Sequence, residues 1–136
     1  MKEKKYTLVG SIAAAGLATL LIFLSSATEK GIGIKRTELQ RHDLSDSARE
    51  AIQVRIDFDP GTVFGKHLHP GEEIIYVLEG QLEYQVGDKL PVTISAGSVL
   101  FVPAGVIHSA RNPGKGKAVE LATYITQKGK TLVIMQ

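Results

Sequence analysis

From Ile52 onward the chain alternates apolar and polar positions in one short run after another. Ile52, Val54, Ile56 and Phe58 are apolar while Gln53, Arg55 and Asp57 are polar, which predicts a strand with one buried face. Asp59-Pro60-Gly61 ends it. Glu73 to Glu79 is a more continuously apolar strand, and Gly80 turns it into Gln81 to Val86, where Leu82, Tyr84 and Val86 alternate with polar neighbours. After Gly87-Asp88 the series continues through Val92 and Ile94, Val99 to Val102, Ile107 to Arg111 and Val119 to Ile125. Ala96-Gly97, Pro103-Ala104-Gly105 and Asn112 to Gly116 provide the breaks. Upstream, Lys35 to Gln40 is expected as an edge strand and Asp43 to Glu50 as a loop or single turn. There is no internal repeat and no long helical period. Strands this short and regularly spaced predict an all-β sandwich or barrel.

The first 27 residues follow a different rule. Lys2, Lys4 and Lys5 precede a run of 17 uncharged residues from Leu8 to Leu24, and Ser25-Ser26-Ala27 supplies small residues for cleavage. This is the pattern of a secretory signal peptide over residues 1–27, leaving one domain over 28–136 in the periplasm or secreted medium. The run is just short of a full membrane span, so an uncleaved anchor is the other reading and the only route to a membrane contact. No Cys follows the run and no Arg pair precedes it, which points to the general secretory route without lipid attachment.

Composition then narrows the chemistry. The chain has 136 residues, 43% hydrophobic, with 14 Gly and no Cys. One compact domain is implied, and disulfides, zinc–thiolate sites and thiol nucleophiles are excluded. The leader takes three lysines and one glutamate from the 16 basic and 14 acidic side chains, so the remainder is balanced in sign and the net charge of +2 is no argument for a polyanion surface. With 6% aromatic residues and no Trp, stacking platforms for bases are scarce and nucleic acid is not an expected partner.

Three of the four histidines fall in the segments richest in Gly and Pro. His67 and His69 stand at i and i+2, which on an extended strand places both imidazoles on one face about 7 Å apart along the backbone. Glu73 has the same parity after the Pro70-Gly71 turn, and His108 arrives from elsewhere in the sheet. Together they make a set of three nitrogens and one oxygen able to converge on one cation. Glu72 has the opposite parity and is expected to point outward; His42 stands alone and is read as an ordinary surface side chain.

Gly61, His67, His69, Glu73 and Gly80 have the spacing Gly-x5-His-x-His-x3-Glu-x6-Gly, and Gly97, Pro103, Gly105, His108 and Asn112 have Gly-x5-Pro-x-Gly-x2-His-x3-Asn. In both motifs the chain resembles the cupins, from Gln53 to about Tyr124. The resemblance implies a double-sheet jelly-roll β-barrel, commonly a homodimer, with one metal inside; His67, His69, Glu73 and His108 would be its ligands. The glycines and Pro103 are sufficiently explained as turn residues, and Asn112 as a residue that closes a strand by bonding backbone.

Imidazole with a carboxylate suits Mn, Fe, Co, Ni, Cu or Zn and disfavours Ca and Mg. In an octahedral shell, four protein ligands leave two positions for dioxygen, water or a small-molecule substrate. The resulting expectation is a metal-dependent enzyme, dioxygenase-like first and a metal-assisted isomerase or lyase second. A non-catalytic module binding a sugar or other small ligand is the alternative, since fold alone does not give activity. Nothing in Tyr76, Tyr84, Phe101 or Arg111 identifies a substrate. The leader yields the first prediction: mass spectrometry of the native protein finds Thr28 at the N-terminus, whereas an intact Met1 in the membrane fraction contradicts cleavage.

Overall fold

The computed structural model describes residues 33–46 and 48–136; the leader expected over residues 1–27 lies outside the described residues. The alternating pattern is realised as ten strands: β1 (Ile34–Asp43), β2 (Arg49–Phe58), β3 (Val63–Leu68), β4 (Glu72–Glu79), β5 (Gln81–Val86), β6 (Val92–Ser95), β7 (Val99–Val102), β8 (His108–Arg111), β9 (Ala118–Gln127) and β10 (Ile134–Met135). No helix occurs among the described residues. The strands form two five-stranded sheets in the orders β1-β2-β9-β4-β7 and β10-β3-β8-β5-β6, with every pairing antiparallel.

The period of two decides what lies between the sheets. In the first sheet the register aligns Ile52, Tyr124 and Glu73 in one cross-strand row, Val54, Ala122 and Ile75 in the next, and Ile56, Glu120 and Val77 in the third. All nine are buried. Leu82, Tyr84 and Val86 of β5, Ile94 of β6 and Ala110 of β8 cover them from the second sheet. Each fully buried Val, Ile or Leu stabilises the fold by roughly 1.5–3 kcal/mol. Gly80 joins β4 to β5 at φ 72°, and a Cβ there would stand 2.5 Å from the Lys117 carbonyl oxygen, so glycine is required on both counts.

Several expectations need adjustment. The apolar run of β4 is buried on one side only: Glu73, Ile75 and Val77 face in, while Ile74, Tyr76 and Leu78 lie exposed on the outer face beside Val99 and Phe101 of β7. The edge strand read at Lys35 to Gln40 runs the full length of β1, and it does occupy a sheet edge. The loop or single turn expected from Asp43 to Glu50 is the turn of a hairpin, with only its ends Asp43, Arg49 and Glu50 in the strands it joins. β10 was not foreseen; two residues carry no readable period.

One polar pair interrupts the apolar interior. The Tyr84 hydroxyl donates to Glu120 Oε2 at 2.6 Å, and both side chains are buried. Burial, and then the negative charge of Glu73, push the Glu120 carboxyl up to about 8. Because its folded value lies above the ordinary 4.5, the folded state holds a proton that the unfolded chain releases, and the associated stability is lost as pH rises through that window. Thermal unfolding from pH 5 to 9 should therefore fall less steeply in Glu120→Gln than in the wild-type protein; parallel curves would contradict this.

Candidate metal centre

His67 and His108 are direct cross-strand partners on β3 and β8, closer neighbours than their sequence separation suggests. A bulge makes this possible. Phe64 pairs with Ala110, so an unbroken ladder would set Lys66 opposite His108; one extra residue in β3 shifts the register and puts His67 there instead. The Gly65 carbonyl, inside the bulge, accepts a hydrogen bond from His67 Nδ1 at 2.8 Å. His69 lies just past the end of β3. Its own carbonyl accepts from the Gly105 amide at 2.8 Å, tying the His69 segment to the Pro103-Ala104-Gly105 turn that leads into β8.

The other two imidazoles are held in the same way. His69 Nδ1 lies 2.6 Å from the Leu132 carbonyl and His108 Nδ1 lies 2.9 Å from that of Val106. A carbonyl can only accept, so each Nδ1 carries a proton and Nε2 is the nitrogen left to serve as a ligand. Burial drives the His67 pKa down to about 4, which keeps that ring neutral at physiological pH. The ligand-capable nitrogens of His67, His69 and His108 all lie within 4.8 Å of one another.

Glu73 reaches this cluster from the facing sheet. Its Oε2 is 3.1 Å from His108 Nε2 and 3.4 Å from His69 Nε2, and it is 2% exposed. Burial by itself would raise its pKa, but positive charge carried at the His108 and His69 Nε2 positions, as a proton or as a metal ion in its place, outweighs burial and holds the carboxyl below the ordinary range. His69 Nε2, His108 Nε2 and Glu73 Oε2 are buried and, among the described residues, have no ordinary hydrogen-bond partner. Nε2 lone pairs aimed at an ionised carboxylate repel it unless positive charge, a proton or a metal ion, stands between them. The donor set therefore fits a metal ion, and the three-histidine group could hold one; the carbonyl bonds to Nδ1 are the outer support such ligands require.

All four residues singled out by spacing are brought together. Glu72 lies on the other side of β4 from Glu73 and is partly exposed. His42 is exposed on β1, outside the cluster. Asn112 donates through Nδ2 to the Gly116 carbonyl at 2.8 Å and accepts from the Gly114 amide at 2.9 Å, which is the turn-closing role expected of it. Arg111 pairs with Glu83 on the surface, while Tyr76 and Phe101 face outward. The sequence pattern did not single out Tyr124, whose ring packs 4.7 Å from His69 and whose hydroxyl helps hold Glu73 charged, nor Phe64, 4.3 Å from His67. Both look like ordinary strand aromatics; only the cross-strand row of Tyr124 with Glu73 could have marked the first.

Two five-stranded antiparallel sheets enclosing a three-histidine, one-carboxylate cluster define a small jelly roll whose interior could hold a metal ion. The family model for the cupin domain matches residues 54–124, just over half of the chain, and the chain belongs to that family. A germin-like protein, subfamily 2 member 2, of Arabidopsis thaliana is 40% identical over 78 residues, covering 54% of this chain and 36% of its own length. The chain thus spans about two fifths of the curated relatives it matches. An RmlC-like cupin from Shewanella frigidimarina superposes with a TM-score of 0.58 at 28% identity, covering 73% of this chain and 81% of that one. Oxalate oxidase shares the fold with a TM-score of 0.63 at 24% identity, covering 79% of this chain and 57% of that one.

Metal content gives the direct check on the cluster. Wild-type protein reconstituted in turn with Mn, Fe, Co, Ni, Cu and Zn should take up about one equivalent of at least one of them, as should His42→Ala, while His108→Ala should retain less than about 0.1. Equal uptake by His108→Ala and wild type would show that this cluster does not hold the ion.

Proposed function

We propose that the chain is an exported, single-domain, metal-dependent cupin enzyme acting on a small molecule, with His67, His69, Glu73 and His108 as the ligands of one divalent transition metal. Oxidation by dioxygen is the first reading of the reaction. The observation that carries the proposal is the convergence of three imidazoles, each fixed through Nδ1 to a backbone carbonyl, with a buried carboxylate against two of them. A bound transition metal supplies a Lewis-acid centre and, for a redox-active ion, electrons for dioxygen chemistry.

The residues of the chain do the remainder. The three carbonyls hold the proton on Nδ1 and aim the rings, so ion binding does not have to order them. Glu73 contributes the single negative charge, and its position on the sheet facing the histidines means that the centre joins both halves of the barrel. The apolar rows beyond it exclude water from the interior side. Among other candidate reactive centres, the sequence offers no cysteine and no convincing serine triad. Export is read from Lys2 to Ala27, and an exported chain would acquire its metal outside the cytoplasm.

An oxygen electrode separates the chemistries. Metal-loaded protein, screened against small sugars, carboxylic acids and phenols, should consume oxygen with at least one class. Chelation should abolish the activity reversibly, and Glu73→Gln should lower it more than changes at Tyr76 or Arg111. Turnover unchanged under strict anaerobiosis would overturn the dioxygen reading in favour of a metal-assisted rearrangement. Ligand binding that survives complete metal removal, without turnover, would favour a non-catalytic binding module.

A further inference from the structure

Arg36 places a cation where the alternation of β1 calls for a core side chain. It shares a face with the buried Ile34 and stands opposite the buried Ile56 of β2. Its guanidinium carbon lies 5.7 Å from the Phe64 ring centroid and 5.8 Å from that of Tyr124, and Nη2 donates to Tyr124 Oη at 3.2 Å. Phe64 packs on His67 and Tyr124 on His69. The guanidinium is therefore held against two aromatic rings, one ring away from the metal cluster.

Its hydrogen-bonding capacity is largely unspent. A guanidinium has five N–H donors, and among the described residues Tyr124 Oη is the only side-chain acceptor within reach. The other four arginines, Arg41, Arg49, Arg55 and Arg111, each pair with a carboxylate; Arg36 has none within 4.0 Å among the described residues. Packing alone would be served by Leu or Met at lower cost, because partly burying an unpaired cation is unfavourable. The charges near the cluster add to the contrast. The negative charge of Glu73 acts on Arg36 only from beyond ion-pair distance and offsets only one of the two charges of a divalent ion.

We propose that Arg36 is the specificity-determining residue that pairs with the carboxylate of a small ligand bound at the cluster. The inference rests on the metal reading above and adds the substrate class to it. A planar guanidinium matches a carboxylate with two parallel hydrogen bonds, and the aromatic faces fix its plane before the ligand arrives. A competing role is that Arg36 only orients Tyr124, and through it Glu73, making it a positioning residue for the ligands.

Calorimetric titration of the full, metal-loaded chain with acetate, lactate and malonate, each beside its neutral amide, distinguishes these roles. Wild type should bind at least one carboxylate about tenfold or more tightly than its amide. Arg36→Met should lose that preference while keeping its metal content and its affinity for the amide, and Arg36→Lys, which keeps the charge, should recover part of it. No carboxylate preference in wild type, or the same preference in Arg36→Met, overturns the proposal. Loss of metal together with weaker binding of acid and amide alike overturns it in favour of the positioning role. Metal content of the wild-type samples reports on the metal reading separately; should no ion bind, the same comparison on metal-free protein still decides for or against Arg36.

Discussion

Much of the centre depends on a constraint set outside it: backbone carbonyls of Gly65, Leu132 and Val106 each accept the Nδ1 proton of one histidine. Fixing the proton on Nδ1 leaves Nε2 as the free nitrogen of each ring, gathers the three rings into one cluster, and sets those of His69 and His108 against a carboxylate that burial would otherwise neutralise. A side chain in a freely rotating loop would lose this arrangement to solvent. Here the carbonyls belong to a bulge, a C-terminal segment and a tight turn, each anchored to the sheets, so the orientation of the rings is part of the fold.

That dependence makes the site a joint product of both sheets. His67 and His108 come from one sheet and Glu73 from the other, with Tyr124 beside Glu73 in the same cross-strand row. The interior therefore changes character along its length, from the polar cluster through rows of Val, Ile and Ala to the Tyr84–Glu120 pair. Glu120 lies four residues from Tyr124 on β9, about 13 Å along the strand, and satisfies its hydrogen-bonding need through Tyr84 rather than through an ion. Two buried carboxyls in one barrel thus take opposite protonation states: the one among imidazole nitrogens is ionised and the one among apolar side chains is protonated.

The sequence made strand types and the four candidate ligands legible because both rest on local periodicity and spacing. Ile52 to Phe58 and Gln81 to Val86 alternate cleanly, and their buried positions follow the alternation. His67, His69 and Glu73 share parity, although the reason His67 faces inward is a bulge that parity alone does not reveal. The outward exposure of Ile74, Tyr76 and Leu78 was not legible: an apolar residue on an uncovered sheet face looks like one in a core. The Leu132 carbonyl that orients His69 was also hidden, since it lies 63 positions away and acts through backbone. Arg36 carried no signal for a related reason; a basic residue in an edge strand ordinarily marks solvent, and only the packing on Phe64 and Tyr124 distinguishes it.

The central claim is that the four side chains converge on one cation through three Nε2 atoms and the Glu73 carboxylate. Crystals of the reconstituted protein, with anomalous diffraction recorded on either side of the absorption edge of the added metal, test it most directly. One anomalous peak per chain, bonded to Nε2 of His67, His69 and His108 and to Glu73, with all three Nδ1 atoms still on their carbonyls, is the predicted result. A peak at another site, or ligation through Nδ1 with the carbonyl bonds broken, would contradict the account.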